Sequence, residues 1–416
     1  MITRTRNHPG ILLLPAALFI FVFPAAARAQ NLFRFFPEAQ LSGFYADNFP
    51  LQTTNKMGDF AGTLAAGFYL DYISAARYAS LRYDTFAELF THQTEYDRAG
   101  EAQFAEVMDD ENLSPTTKLR LIDLYYRNGP TMANMITSEQ APQFNTVAAL
   151  LLLANVQASV SQTGAELSHY WGRNWSSDLG VHQETFWGNG VSSATDSTSY
   201  SQSVVTSTQY HFTSQFSLGA GYRFSDFRFT APGRPDEQAH WPFVGVTWNP
   251  TERLYLHANA GVVISETQGT SGAQTNFGGE GQLEYNLERA HLKIDGGQRP
   301  ELAAGLAGVG VSEFRWVAGS IRYDFTPRMT GTVGGGYYYE SNTTGYDEQF
   351  VSWGVGLSER VNKWLTVGTR FIQVRRTETG SSAFLPSGTQ SGPEAVGDYI
   401  VVGFAVSFEA FRWSWQ

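Results

Sequence analysis

Cysteine is absent from the 416-residue chain. No disulfide can brace it in an oxidising compartment, and without a lipobox cysteine it is not a lipoprotein. Long apolar runs are scarce as well. Only 42% of residues are hydrophobic and the mean hydropathy is slightly negative, which excludes a bundle of membrane-spanning helices. Basic residues are in deficit, with 28 Lys and Arg against 39 Asp and Glu. An acidic chain with no basic stripe is not a general nucleic-acid binder.

One apolar block stands at the N-terminus, in "MITRTRNHPGILLLPAALFIFVFPAAARAQ". Arg4 and Arg6 precede an apolar core from Ile11 to Phe23, and Ala27-Arg28-Ala29 supplies small residues for cleavage. The run is too short to span a bilayer as a helix. A signal peptide is expected over 1–29, leaving one mature domain over 30–416. Its removal takes three arginines and no acid, so the mature net charge is −14.

Aromatics (14%) and glycine (41 residues) are abundant, and they fall into a repeating pattern. In "WNPTERLYLHANAGVVISETQ" the apolar residues Leu254, Leu256, Ala258, Ala260, Val262 and Ile264 occupy every second position. "DFAGTLAAGFYLDY", "QFSLGAGYRFS", "TNFGGEGQLEYNL", "FVSWGVGLSE" and "YIVVGFAVSF" alternate in the same way. Period two puts one continuous apolar face on each strand.

The connections come in two lengths. Short ones fall at 73–76, 114–116, about 172–175, 213–215, 249–252, 288–290, 326–328 and 361–363. Longer polar links fall at 47–58, 93–98, 129–146, 188–198, 231–239, 268–275, 300–309, 341–347 and 380–396. Eight tight turns alternating with nine long loops require eighteen antiparallel strands with both termini on the tight-turn side. That is the plan of an all-β transmembrane barrel of a bacterial outer membrane, with periplasmic termini. The segments are longer than the ~5–6 residues common in soluble sheets and match the ~9–11 that cross a bilayer. Trp248, Tyr285, Phe325 and Trp364 cluster at strand ends, where an interface girdle belongs. The run Val147–Ala154 does not alternate, and a strand is expected from about Asn155 to Tyr170; without it the count is sixteen.

Strand parity then assigns an inward, wet face. It carries Arg82, Asp84, Glu88, Arg223, His257, Glu280, Glu284, Lys293, Asp295, Arg299, Arg322, Asp324 and Arg370. A charge facing hydrocarbon costs about 2–4 kcal/mol near the midplane, so an inward orientation is close to forced. For any one residue, cross-bracing of the wall is the simpler role. No histidine sits in a nucleophile elbow, a zinc-binding helix motif or a metal-like cluster, so no catalytic, metal or cofactor site is assigned.

The hairpins "SAARYASLRYDTFAELF", "LSPTTKLRLIDLYYRN", "LGAGYRFSDF", "WNPTERLYLHANAG" and "YDFTPRMTGTVGGGYYY" resemble a family of beta-barrel porins often encoded in exopolysaccharide operons. The likeness runs over about residues 38–411. It implies an outer-membrane barrel passing polysaccharide or small polar solutes, with membrane lipid and the barrel-assembly machinery as partners. "GFAVSFEAFRWSWQ" resembles the C-terminal strand signal read by that machinery, although Gln416 follows the last aromatic. The expectation is a hydrated polar pore. The alternatives are a loop-plugged structural or receptor barrel and, further off, an outer-membrane lipid hydrolase.

Overall fold

A computed structural model describes residues 31–47, 58–92, 97–127, 158–188, 197–230, 235–269, 272–302, 311–342, 347–379, 395–407 and 411–415. The expected signal segment and the run Val147–Ala154 lie outside the described residues.

The described residues form strands joined by turns. In chain order they are β1 (Asn31–Ala46), β2 (Asp59–Ile73), β3 (Arg77–Phe90), β4 (Arg98–Ser114) and β5 (Thr117–Arg127). Next come β6 (Ala158–Tyr170), β7 (Trp175–Gly188), β8 (Ser197–His211), β9 (Phe216–Phe229) and β10 (Glu237–Thr251). β11 (Leu254–Thr267), β12 (Gln274–Asn286), β13 (Ala290–Leu302), β14 (Val311–Asp324) and β15 (Met329–Asn342) follow. The series ends with β16 (Asp347–Arg360), β17 (Leu365–Thr379), β18 (Ala395–Ser407) and β19 (Phe411–Trp415).

Except for β18 and β19, which do not pair with each other, each strand pairs antiparallel with its sequence neighbours, in one sheet. β1 pairs with β2 on one side and with both β18 and β19 on the other, while β18 also pairs with β17. β18 and β19 lie end to end along β1, so the nineteen segments make eighteen staves. Between Glu38↔Ser407 and Phe35↔Phe411 the register slips by one residue. This ring of pairings satisfies the backbone without an open sheet edge, as a wall in lipid requires.

The recurring Ser/Thr/Asn-centred turns have a local cause. Thr326 Oγ accepts from the amides of Arg328 (3.2 Å) and Met329 (3.0 Å), and Thr213 Oγ does the same for Gln215 and Phe216. Asn362 Oδ1 accepts from Trp364 and Leu365. A short polar side chain thus closes the turn by mimicking a backbone carbonyl. In Thr326-Pro327-Arg328 and Ser114-Pro115-Thr116, proline occupies the one position whose amide the turn does not use. All eight tight connections lie at the rim where Asn31 meets Trp415, so the described chain starts and ends at that rim.

The two faces differ sharply. Outward stand Leu64, Val181, Val244, Val262, Phe277, Val317, Val333, Val351 and Val402, all exposed. Trp171, Trp175, Trp248, Phe325 and Trp364 are exposed at the turn rim, forming an aromatic girdle. Many buried side chains lie on the inner face, Thr63, Asp84, Phe86, Glu88, Trp241, Val263, Phe350 and Val374 among them, while Ala79, Asp109 and Asp226 are buried on the outward parity. The inner wall is apolar chiefly toward the loop end. There Phe227, Ala239, Trp241 and Val263 pack with Phe229 and Phe243.

Candidate functional site

Inner-face charges are tied across neighbouring strands. Arg34 donates from Nε and Nη2 to both oxygens of Asp71, at 2.5–3.1 Å. Arg82 reaches Asp84 (2.8 Å) and Glu38 (3.2 Å), with Glu106 at its register position on β4. Asp110 collects Arg120 (2.8 Å) and Lys118 (3.4 Å). On the opposite arc Glu280 accepts from Arg299 (3.3 Å) and Asn259 (3.4 Å), Asp295 from Trp316 Nε1 (3.1 Å), and Asp324 from Arg322 (3.3 Å). Apart from Arg34–Asp71, whose carboxylate is buried, partly exposed pairs of this kind contribute little stability each. They set where positive and negative charge stand along the wall.

Arginines also lie over inner aromatic rings. Arg223 stacks on Trp241 and Arg299 on Trp316, each with its guanidinium carbon 5.0 Å from the ring centre. Arg82 over Phe104 and Arg376 over Phe350 repeat the contact at 5.7 Å. A guanidinium lying over a ring gains a cation–π attraction that helps keep its charge in place.

The inner wall narrows where the backbone of β13 comes within 8 Å of that of β8. A cavity of about 430 Å³ opens beside this pinch. Its polar lining includes Arg223, Arg299, His182, Glu166 and Glu184, with Trp241 and Phe227 forming an apolar side. His182 Nε2 stands 3.8 Å from Glu166, and Gln162 donates to Glu184 at 3.0 Å. Close packing keeps the wall smooth here: the Trp316 indole lies over Gly297, where an added Cβ would stand 2.7 Å from the ring.

Each of the thirteen residues singled out from the sequence shares the parity of the buried inner side chains. They do not converge on one centre. Arg223 and Arg299 line the cavity; Glu280 joins Arg299 and Asp295 joins Trp316. Arg82 and Asp84 form a separate cluster, and Glu88 accepts from Thr63 at 3.4 Å. His257 meets Thr247 at 3.0 Å, Lys293 stands opposite Glu284 in register, and Arg370 faces Gly356. Arg322 and Asp324 pair near the turn rim. Sequence reading missed Arg34, Asp71, Asp110, Arg120 and Glu166, which parity counting on β1, β2, β4, β5 and β6 reaches. It also missed the inner aromatics Trp241, Phe243, Tyr338 and Phe350, because hydropathy assigns large rings to the oily face.

Closed pairing, an exposed apolar exterior and an aromatic rim together describe a wall immersed in lipid. The chain is a barrel of the outer membrane. No family model matches it, and no curated protein does. Among solved structures it is similar to OccK2 (OpdF) of Pseudomonas aeruginosa, determined with glucuronate, at TM-score 0.45 and 11% identity. That match covers 90% of this chain and 98% of the other. OccAB4 of Acinetobacter baumannii (0.44, 11%, covering 90% and 98%) and a BenF-like porin of Pseudomonas fluorescens Pf-5 (0.44, 12%, covering 90% and 99%) are similar to the same degree.

Proposed function

We propose that this barrel is a porin-like pore for small polar solutes, with its narrowest selective point at the β8–β13 pinch. The observation that supports it is the contrast between faces: an outside that is chiefly apolar, and an inside carrying ion pairs of both signs. Eighteen staves enclose more space than their own side chains can fill, and a charged wall keeps that space wet. The thirteen inward residues named from the sequence are, in this reading, water-facing polar groups of the conduit.

Arg223 and Arg299 hold fixed positive charge on aromatic supports, and Glu166 and Glu184 line the same cavity. A solute passing there meets both donors and acceptors. Purified protein in planar bilayers should give steady single-channel conductance. Arg223→Gln with Arg299→Gln should move the reversal potential in a salt gradient toward cation preference. A silent barrel would sink the pore reading and favour a loop-plugged one. Oligosaccharides that block the current where simple salts do not would favour a carbohydrate cargo, as the exopolysaccharide resemblance implies.

A further inference from the structure

The exterior is not apolar all round. Strand β8, "STSYSQSVVTSTQYH", is polar on both faces, and its outward positions are Thr198, Tyr200, Gln202, Val204, Thr206, Thr208 and Tyr210. Its neighbours extend the anomaly. Asp123 of β5 pairs in register with Thr163 of β6, Thr163 with Gln183 of β7, and Gln183 with Gln202 of β8. All four share the parity of the exposed Leu121, Leu167, Val181 and Val204, so they point outward. Thr163 donates to Asp123 at 2.9 Å, and Gln202 reaches Gln183 at 3.5 Å.

This row lies inside the membrane. Asp123 stands six residues from the turn-rim end of β5, and Gln202 nine from that of β8. With ~3.3 Å rise and ~40° tilt that is about 15–22 Å above the rim, within an apolar band about 25 Å tall. At the depth of Asp123 and Thr163 the opposite wall presents Val317, Gly335 and Trp353; level with Gln202, nine residues from its own rim end, stands the outward Arg315, paired with Glu313 at 2.6 Å. Acyl chains offer no hydrogen-bond partner to a carboxylate and two amides. A soluble protein does not reach that depth.

We propose that the outer face of β5 to β8 is a subunit interface, occupied by a second copy of this barrel about a twofold axis along the membrane normal. Three features favour a copy over another occupant. An axis between β7 and β8 sets Gln183 of one copy opposite Gln202 of the other, offset by about one residue's rise. Each amide carries both donor and acceptor, so the pairing is reciprocal. Small outward residues surround the row (Ser161, Ala165, Ser177, Thr206), which lets two walls approach closely. The inference rests on the membrane reading and is independent of whether the pore conducts.

The native chain has no cysteine, so single cysteines report cleanly. Gln183→Cys and Gln202→Cys, treated with a short bis-maleimide in isolated outer membranes, should each give an adduct of twice the chain mass. Val351→Cys should stay monomeric. In detergent, Gln183→Leu with Gln202→Leu should weaken dimerisation at least about tenfold in sedimentation, while heat-modifiable gel mobility shows the barrel intact. A wild-type barrel that sediments only as a monomer would overturn the proposal. So would equal cross-linking at Val351→Cys, or an adduct of any other mass.

Discussion

The guanidinium of Arg223 is held over the indole of Trp241, 5.0 Å from its centre, and that indole is almost fully buried. A single ring therefore serves two ends, packing the small lobe with Phe227, Ala239 and Val263 and supporting a charge at the pinch.

Trp241→Ala should separate these ends. Loss of the ring should cost about 3–5 kcal/mol of stability, as large-to-small core changes do. It should also widen the passage and loosen Arg223. Urea unfolding in detergent would register the first effect and raised single-channel conductance the second. Lower stability with unchanged conductance would mean that Trp241 does not border the path.

Asp71 is buried and depends on one cation. Its side chain is 1% exposed and takes three hydrogen bonds from Arg34. Arg34→Ala leaves that carboxylate uncompensated and should destabilise by about 3–5 kcal/mol. Pairing it with Asp71→Asn should recover much of the loss. Denaturant midpoints of the single and double variants provide the comparison.

Gly297→Val should strain the wall. A Cβ there would lie 2.6 Å from the Gly279 carbonyl and 2.7 Å from the Trp316 ring. Overpacking of this kind costs about 1–3 kcal/mol, and the displaced indole should change tryptophan emission. Wild-type emission and an unchanged unfolding midpoint would contradict the packing described.

Val244→Arg tests the sidedness of the wall. Val244 is 64% exposed on the outer face of β10. An arginine near the bilayer midplane should cost about 2–4 kcal/mol, whereas Ser203→Arg on the inner face should cost far less. Folding yields into lipid vesicles would rank the two. The opposite ranking would turn the barrel inside out.

Much of this architecture is legible in the amino-acid string. Alternation in Leu254–Ile264, turn chemistry at Thr326-Pro327 and Asn362, and two connection lengths yield the strand order and the sidedness. The failures have physical causes. In β8 both faces are polar, so hydropathy carries no parity, and orientation comes only from registers with β7 and β9. Between Trp241 and Val244 large apolar residues occupy both parities, and the neighbouring strands decide which points inward. The slip between Ser407 and Phe411 breaks the count across the last strand. The pinch between β8 and β13 arises from sheet curvature, which no local pattern encodes.

Because Asn31 is zipped to Trp415, the first-made stave waits for the last-made one. Until the carboxyl-terminal residues emerge, β1 and β17 each carry a bare ribbon of amides and carbonyls, ready to adhere to any passing chain. The seam is thus the bottleneck of biogenesis, and a truncated product would be a sticky sheet where a sealed tube was required.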